Sequence, residues 1–400
     1  MSNTQTKNVP ELRFPGFEGE WEEKQVGELL EFKNGLNKGK EYFGSGSSIV
    51  NFKDVFNNRS INTNNLTGKV NVNSKELKNY SVEKGDVFFT RTSEVIGEIG
   101  YPSVILNDPE NTVFSGFVLR GRPKSGIDLI NNNFKRYVFF TNSFRKEMIT
   151  KSSMTTRALT SGTAINKMKV IYPVSAKEQK KIGDFFSKLD RQIELEEQKL
   201  ELLQQQKKGY MQKIFTQELR FKDENGNDYP EWEETTIKEI AQINTGKKDT
   251  KDAITNGSYD FYVRSPIVYK INTFSYEGEA ILTVGDGVGV GKVFHYVNGK
   301  FDYHQRVYKI SDFKNYYGLL LFYYFSQNFL KETKKYSAKT SVDSVRKDMV
   351  ANMKVPRPIY IEQEKIGQFI KKVDNKIKIQ KQVIELLKQR KKALLQKMFI

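Results

Sequence analysis

The glycine-rich stretch GDGVGVGK, from Gly285 to Lys292, is the first candidate for chemistry, because loops of this composition can cradle phosphate groups. It does not fit either nucleotide-binding pattern. A P-loop requires glycine where Asp286 stands and Ser or Thr where Val293 stands. A dinucleotide fingerprint requires G-x-G-x-x-G, whereas the spacing here is G-x-G-x-G. The stretch therefore predicts no nucleotide cofactor.

The sequence also offers few residues that could bind a metal or act as a catalytic acid or base. The chain has 2 histidines, His295 and His304, and no cysteine, so a thiolate zinc site is excluded. The sequence contains neither a catalytic triad nor the Asn-Pro-Pro-aromatic stretch of adenine methyltransferases. We therefore predict that this chain is not an enzyme and holds no metal and no cofactor of its own.

The charge of the chain points to a polyanionic partner. Its 65 basic residues exceed its 48 acidic residues and give a formal net charge of +17. Each phosphate that a basic side chain neutralises releases condensed counterions, which favours binding. Nucleic acid is the favoured partner, and a surplus that serves solubility or an anionic membrane surface are the alternatives. The glycine loop is then either a close approach of backbone to DNA or an ordinary surface turn.

Length and composition restrict the class of protein further. A chain of 400 residues with 38% hydrophobic residues predicts two or three folded domains. No apolar run approaches the roughly 20 residues that span a bilayer, and the start MSNTQTKNVPELRF lacks a signal-peptide core. The lack of cysteine is easy to reconcile with a reducing compartment. We expect a cytoplasmic protein without a membrane partner.

Candidate DNA contacts are chosen by side-chain type in predicted loops and strand ends. Arg and Lys read guanine or neutralise phosphate, and small hydroxyl residues assist them. In the first half the candidates are Arg59, Arg91, Thr92, Ser93, Lys151, Ser153 and Arg157. In the second half they are Lys247, Lys248, Arg264, Ser265, Asp286, His304, Arg306, Lys339, Thr340, Ser341 and Arg346. For any one of them a solvated surface charge is the alternative, and for His304 a packing role.

Two long helices must position these residues. Residues 178–215 align without a gap on residues 362–399, and half of the positions are identical. In both copies apolar residues alternate at spacings of four and three, which predicts a coiled-coil seam. The seam residues are Ile182, Phe186, Leu189, Ile193, Leu200 and Leu203 in the first copy and Ile366, Ile370, Val373, Ile377, Ile384 and Leu387 in the second.

The charges of the two helices favour pairing with each other. The centre of the first copy carries Glu194, Glu196, Glu197 and Glu201, and the centre of the second carries Lys376, Lys378 and Lys381. An antiparallel pair brings centre against centre, so opposite charges meet, whereas a homodimer of either helix brings like charges together. We predict an antiparallel pair within the chain. The alternative is that each helix only packs on its own domain.

A second repeat divides the chain into two half-proteins. PELRF and then the segment from Trp21 to Gly35 begin the first half, and QELRF and then the segment from Trp232 to Gly246 begin the second. Both segments follow the pattern W-E-E-x-x-[VI]-x-E-[LI]-x-x-[FI]-x-x-G. Between these markers the halves diverge. We predict globular domains at 1–174 and 217–358 and helices at 175–216 and 359–400.

The two helices with EQKKI and EQEKI, the restarted ELRF and the paired W-E-E segments resemble the specificity subunit of type I restriction-modification enzymes over essentially the whole chain. The resemblance implies a mixed α/β fold: two α+β target recognition domains, separated by two helices that form an antiparallel coiled coil with a pseudo-twofold internal repeat.

The same resemblance implies a function. Each domain would read one half of a bipartite double-stranded DNA target, and the coiled coil would set an unread spacer. Two methyltransferase subunits and two restriction subunits would supply adenine methylation and cleavage, with S-adenosylmethionine, ATP and magnesium bound in those partners. The alternative from composition alone is a coiled-coil scaffold that binds nucleic acid without sequence preference.

Overall fold

The fold mixes α-helices and β-sheets. The structure is a computed structural model that describes residues 8–56, 58–124, 128–287, 289–335 and 344–400. Contacts between Cα atoms divide the chain into a first unit, Met1–Glu197 with Gln382–Ile400, and a second unit, Gln198–Lys381. The borders of these units cut both long helices. The predicted domain boundaries, which give each helix a segment of its own, stay a prediction.

The first unit is built on a five-stranded sheet. Its strands are β1 (Glu22–Gln25), β2 (Leu30–Asn34), β3 (Phe43–Val50), β4 (Ser60–Ile61), β5 (Lys69–Val70), β6 (Val87–Thr90), β7 (Thr92–Ser93), β8 (Pro102–Ile105), β9 (Thr112–Phe114), β10 (Val118–Pro123), β11 (Ser153–Met154), β12 (Ala158–Leu159) and β13 (Lys169–Tyr172). The main sheet has the order β2-β10-β6-β8-β4, and smaller sheets have the orders β5-β3-β9, β11-β12-β7 and β1-β13.

Helices cover this sheet and bury its apolar strands. They are α1 (Val26–Leu29), α2 (Phe52–Val55), α3 (Ser74–Asn79), α4 (Asn132–Val138), α5 (Asn142–Lys151), α6 (Gly162–Asn166) and the start of the long helix α7 (Ala176–Phe215). Strand β6 is buried along its whole length, as its unbroken apolar run predicts for a strand covered on both faces. Phe89 of this strand shares one core with Phe134 of α4 and Phe186 of α7.

The second unit has one larger sheet. Its strands are β14 (Glu233–Thr236), β15 (Gln242–Thr245), β16 (Tyr259–Tyr262), β17 (Val268–Ile271), β18 (Tyr276–Val284), β19 (Phe294–Tyr303), β20 (Val307–Ser311) and β21 (Lys354–Arg357). The main sheet has the order β15-β20-β18-β19-β16-β17, and β14 pairs with β21. The helices are α8 (Ile237–Ile240), α9 (Gly318–Lys334), α10 (Lys347–Ala351) and the long helix α11 (Tyr360–Met398). Ile281, Phe325 and Ile366 meet in its core.

The W-E-E pattern forms the same local structure in both units. Its first residues form β1 and β14, which pair antiparallel with β13 and β21, the strands that precede the long helices. A short helix follows, α1 or α8, and the glutamate of the pattern accepts the backbone N–H that begins it. Glu28 accepts from the amide of Gln25, and Glu239 accepts from the amide of Thr236. The repeated sequence is therefore a repeated strand–helix–strand frame.

The central strands correspond as well. In the first unit β10 lies between β2 and β6, and in the second β20 lies between β15 and β18. The residues of β6 and β18 belong to the pair of apolar segments that the sequence also relates, EKGDVFFTR and YEGEAILTV. Two further strands correspond: β8 and β19 pair antiparallel with β6 and β18, and β4 and β16 pair parallel with β8 and β19. The second sheet differs in having the additional edge strand β17.

Each long helix is anchored at its start by a buried glutamate and an arginine from the ELRF segment. Glu178 is 1% exposed and accepts two hydrogen bonds from Arg13, through Nε at 2.7 Å and Nη2 at 2.8 Å. Glu362 is fully buried and accepts from Nη2 of Arg220 at 3.1 Å and from Nε1 of Trp232 at 2.9 Å. A two-point pair of this kind fixes direction as well as position. In both units the arginine of the ELRF repeat therefore anchors the start of the long helix.

The glutamine beside each glutamate ties the helix to its own domain. Gln179 accepts from the amide of Asn131 at 2.7 Å and donates to the carbonyl of Pro173 at 2.8 Å. Gln363 accepts from the amide of Tyr317 at 2.7 Å and donates to the carbonyl of Pro358 at 2.7 Å. The glutamine of the shared EQ dipeptide thus makes the same two hydrogen bonds to its own domain in both units.

The predicted seam residues all lie away from solvent. Eight of the twelve are buried and the other four are half-buried, namely Leu189, Leu200, Leu203 and Leu387. Between them lie exposed apolar residues, such as Leu195 at 48% and Leu386 at 64%. One face of each helix is therefore covered, and a second apolar stripe stays open.

Within each unit the covered face meets the other long helix. In the first unit Lys391 pairs with Asp190, and Lys388 pairs with Glu197 at 2.6 Å. In the second unit Lys207 pairs with Asp374 at 2.6 Å, and Tyr210 packs edge-on against Phe369. Positions fall along one helix as they rise along the other, so the paired segments are antiparallel within each unit. Lys207 and Lys391 lie four residues after the seam residues Leu203 and Leu387, and both are ion-paired.

No helix of the described residues combines the length and apolar character needed to cross a bilayer. The same described ranges contain no group of three or more acidic or histidine side chains that could hold a metal ion.

The buried anchor generates a stability prediction. Replacing Arg13 with alanine leaves the carboxylate of Glu178 buried without its main partner, so we expect a loss of about 3–5 kcal/mol in the free energy of unfolding. The double variant Arg13→Ala/Glu178→Gln, whose amide carries no charge, should recover part of that loss. The measurement is urea unfolding followed by circular dichroism. The control is Lys84→Ala, which breaks an exposed pair with Asp108 and should change stability by less than about 0.5 kcal/mol.

Candidate nucleic-acid interface

In the first unit four chain segments meet where the central strand β6 ends. The amide of Arg91 donates to the carbonyl of Phe117, in the turn that leads into β10, at 3.1 Å. The amide of Thr160, in the segment before α6, donates to the carbonyl of Arg91 at 3.0 Å. Leu36, after β2, forms an isolated bridge with Ser115. Main-chain hydrogen bonds thus join these segments into a platform.

The second unit builds the same platform at the end of β18. The amide of Gly285 donates to the carbonyl of Arg306, in the turn that leads into β20, at 2.8 Å. The amide of Val345, in the segment before α10, donates to the carbonyl of Gly285 at 2.7 Å. Lys248, after β15, forms an isolated bridge with His304. The glycine loop is therefore part of this platform rather than a separate phosphate site.

The turn before β10 and the turn before β20 share their internal hydrogen bonds. The amide of Val118 donates to the carbonyl of Ser115 at 3.1 Å, and the amide of Val307 donates to that of His304 at 2.9 Å. The side chain at the first position closes each turn: Ser115 Oγ accepts from the amide of Phe117, and His304 Nδ1 accepts from the amide of Arg306. Phe117 and Arg306 therefore occupy equivalent positions.

The final glycine of the W-E-E pattern supports each platform. A Cβ atom on Gly35 would stand 2.2 Å from the carbonyl oxygen of Ser115, and one on Gly246 would stand 1.8 Å from that of Tyr303. Both contacts are to backbone, which cannot swing aside. The pattern ends on glycine because the strand end and the turn approach too closely for any side chain.

The first platform brings together candidates from two distant parts of the sequence. Strand β12 pairs with β7 and β11, which places Ser153 beside the segment of Thr92 and Ser93. Arg157 lies in the loop between β11 and β12, is 64% exposed and approaches Glu94 at 3.8 Å. Ser93 is buried, and its hydroxyl accepts from the amide of Val95. Ser93 therefore shapes the loop, whereas Arg157 is open to a ligand.

The second platform presents two arginines around one carboxylate. Asp286 accepts from Arg264 Nη1 at 3.3 Å and lies 3.6 Å from Arg306 Nε. Arg264 is 50% exposed and Arg306 is 65% exposed, while Asp286 is 27% exposed. Asp286, which the sequence put forward as a contact, orients the two arginines. Three groups of net charge +1 thus face solvent at one point.

His304 is held inside the platform. It is 2% exposed, and its Nε2 lies 3.6 Å from the carboxylate of Asp249. Burial is the largest influence on this side chain and lowers its pKa, against the opposing effect of Asp249. A neutral imidazole that accepts a backbone N–H is a structural part of the turn, which favours the packing alternative raised for this residue.

Other candidates lie elsewhere or outside the described residues. Arg59 lines a cavity of about 460 Å³ in the first unit, where its guanidinium stacks 3.5 Å from the ring centre of Phe140. Burial lowers the pKa of Arg59 to about 10. Lys151 ends α5 and donates to the carbonyl of Lys167. Lys339, Thr340 and Ser341 lie outside the described residues. The remaining candidates stay at the second platform: Lys247 and Arg346 are exposed, and Ser265 is half-buried.

Exposed apolar side chains were missed by reasoning from residue type. Phe117 is 63% exposed, Val95 54%, Met154 52% and Leu159 40%, all in segments that meet at the first platform. The sequence carries no sign of this, because an apolar residue beside a strand is normally assigned to the core. Only the position of Phe117, opposite the amide of Arg91, shows that it is presented to solvent.

The platforms belong to a known class of DNA-recognition domain. The family model for the type I restriction modification DNA specificity domain matches residues 18–205 and again residues 229–389. The two matches cover most of the chain, one for each half-protein. The chain belongs to this family.

Curated relatives carry the same assignment. The chain is 26% identical over 271 residues to the type I restriction enzyme MjaVIII specificity subunit of Methanocaldococcus jannaschii, covering 54% of this chain and 58% of that protein. It is 25% identical over 169 residues to the EcoDI specificity subunit of Escherichia coli, covering 41% and 37%. It is 22% identical over 410 residues to the putative MjaX specificity subunit of M. jannaschii, covering 94% and 92%. The chain thus spans just over half the length of the first of these relatives.

Solved structures share the fold. The S subunit of a type I restriction-modification system from M. genitalium superimposes with a TM-score of 0.64 at 14% identity, covering 98% of this chain and 99% of that one. A chain from a study of complex assembly and conformational transition of the type I R-M system gives a TM-score of 0.54 at 14% identity, covering 95% and 97%. The mixed α/β fold is therefore the fold of these subunits.

The close approach at Gly246 generates the second prediction. In Gly246→Ala the added methyl group must displace the turn of residues 303–306, so we expect loss of at least about 1 kcal/mol of stability and faster amide hydrogen exchange in that turn. The measurement is hydrogen exchange with mass spectrometry. The control is Gly209→Ala in helix α7, where a Cβ meets nothing within 4 Å and the second repeat already has Ala393. That change should stabilise the helix by about 0.5–1 kcal/mol.

Proposed function

We propose that this chain is the DNA-reading subunit of a type I restriction-modification complex and that each platform reads one half of a bipartite target. The observation that carries the proposal is the pair of platforms with one main-chain frame and different side chains. Two copies of a non-specific binder would have no need for different side chains at the exposed end of each platform. We call this end the tip; it is formed by Phe117 in the first unit and by Arg306 in the second. A pair of readers for two unlike half-sites requires this arrangement.

We also propose that α7 and α11 form an antiparallel coiled coil with a pseudo-twofold relation between its halves, and that this coil sets the unread spacer. The antiparallel ion pairs within each unit support it, since Lys391–Asp190 and Lys207–Asp374 are one pair repeated. Each pair also receives a tyrosine hydroxyl: Tyr137 donates to Asp190 and Tyr323 donates to Asp374. At about 1.5 Å per residue, each helix is long enough to exceed one turn of DNA, roughly 34–36 Å.

The chemistry of the complex is assigned to its partners. This chain would bind double-stranded DNA and catalyse nothing, and two methyltransferase subunits and two restriction subunits would supply S-adenosylmethionine-dependent adenine methylation and ATP- and magnesium-dependent cleavage. The platforms support a recognition role, because their side chains are those that contact bases and phosphates: arginine, serine and exposed aromatic groups.

Methylation of the native genome tests the reading function. Deleting this chain's gene should remove methyl groups from a two-part motif with a fixed spacer. Replacing residues 20–165 with the corresponding domain of another family member should change one half of the motif and leave the other half and the spacer intact. The measurement is genome-wide mapping of methylated adenine. A motif in which both halves change would contradict separate readers, and binding that depends only on salt would favour the scaffold alternative.

Two equal partner sites are supported by the open stripe of the helices. In the first unit Leu195 and Leu386 are exposed, and in the second unit Leu202 and Ile379 are exposed at 54% and 58%. The helix repeat aligns Leu195 with Ile379 and Leu202 with Leu386, so each unit offers one member of each matched pair. Large apolar side chains left open at matched positions suit two copies of one partner.

Removing this stripe from one unit should remove one partner. In Leu195→Asp/Leu386→Asp we expect the complex with methyltransferase subunits to carry one copy instead of two, because a buried unpaired carboxylate opposes docking. Native mass spectrometry of the purified complex gives the count. The matched control is Leu129→Asp, an exposed leucine of the same unit that lies off the long helices. Two retained copies in the helix variant would place the docking surface elsewhere.

A further inference from the structure

Phe117 and Arg306 occupy equivalent positions in the two units but differ in chemistry. Both residues follow the same closed turn, both carbonyls accept the amide at the end of the central strand, and both side chains are open, at 63% and 65% exposure. The main chain fixes where each side chain starts, so its chemistry is the part that differs. One tip carries a flat apolar ring, and the other carries a guanidinium.

We propose that this turn is the matched base-reading position of the two domains, with Arg306 selecting guanine in one half-site and Phe117 selecting thymine in the other. The proposal rests on the proposed function and deepens it by naming the base class that each domain takes. Arg306 is already a candidate from the sequence, whereas Phe117 is identified only by its equivalent position in the turn.

The surroundings of Arg306 suit guanine. Its Nε atom is the one nearest to Asp286, at 3.6 Å, so the ion pair leaves the two terminal nitrogens for a ligand. Two such nitrogens match the O6 and N7 acceptors of guanine in the major groove. Asp286 also contacts Arg264, so the carboxylate acts as a positioning residue for both arginines.

The surroundings of Phe117 suit thymine. A ring that offers no hydrogen bond gains by burying the C5-methyl group, which only thymine carries in the major groove. Arg91 lies beside the turn that carries Phe117, with Nη1 3.5 Å from the carbonyl of Gly116, and Arg157 is exposed at the same platform. Basic side chains beside an apolar tip provide phosphate contacts that position the ring without selecting a base.

Reciprocal exchange of the two tips is the test, carried out in the complex of the full chain with its methyltransferase subunits. In Arg306→Phe the second domain's half-site should lose its guanine at one position, and in Phe117→Arg the first domain's half-site should gain guanine where it had thymine. The readout is the methylated motif mapped across the genome and, in parallel, binding to a duplex library with each half-site randomised. A bidentate arginine contact corresponds to roughly 5- to 150-fold discrimination at that position.

Two further variants separate reading from general affinity. Arg306→Lys keeps the charge but loses the two-point fork, so discrimination at the guanine position should fall while the salt dependence of binding stays. Phe43→Arg, on an exposed phenylalanine of the first unit away from the platform, should leave the motif unchanged.

The outcomes distinguish failure of the base assignment from failure of the proposed reading function. A change confined to one position of the expected half-site supports the assignment. A motif that both tip variants leave unaltered overturns it while the reading function stands. If the unmodified complex itself shows no two-part motif and no preference within the library, the proposed function has failed and the tip assignment fails with it.

Discussion

The buried carboxylate at the start of each long helix is the constraint on which the rest depends. Glu178 and Glu362 are removed from water, and such a charge is tolerated only when a partner meets it with good geometry. Arg13 and Arg220 supply that partner from the ELRF segments, far away in sequence. The contact joins the ELRF segment of each unit to the start of its long helix and fixes the direction of that helix. The positions of the seam residues and of the platform depend on this direction.

A fixed frame with variable contents follows from how each part is bonded. Most of the platform is assembled from main-chain hydrogen bonds and from close approaches at Gly35 and Gly246, which do not involve the side chains of Phe117 and Arg306. Side chains at the tip can therefore differ without loss of the fold, as Phe117 and Arg306 do. In the seam the reverse holds, because packing and ion pairs such as Lys391–Asp190 depend on side-chain identity. That difference accounts for a repeat that is faithful in the helices and faint between them.

The parts that sequence reasoning predicts are those with a period or a pattern. The seam positions are buried or half-buried because alternating spacings of four and three place them on one face of each helix. The polar cluster at the second platform is harder to predict from the sequence. Arg264, Asp286 and Arg306 are all candidates and lie together, but the orienting role of Asp286 depends on three loops that no local pattern relates. Arg59 has the right charge and lies against Phe140 instead, and Phe117 has the wrong character and lies at the platform. Residue type predicts what a side chain can bind, whereas the topology of the fold determines which side chains lie together.

The two platforms are energetically independent of the anchors that hold the long helices. Side chains more than about 7–10 Å apart that share no partner contribute nearly additively to free energy. In each unit the anchor, the glutamine ties and the platform are connected through that unit's own core, with Phe186 or Ile366 packed beneath. A substitution at Phe117 or Arg306 shares no partner with the anchor and therefore leaves the anchor's contribution to stability as it was. Because the repeat supplies a separate anchor for each platform, a substitution at one platform leaves the hydrogen bonds that hold the other unit's long helix unchanged.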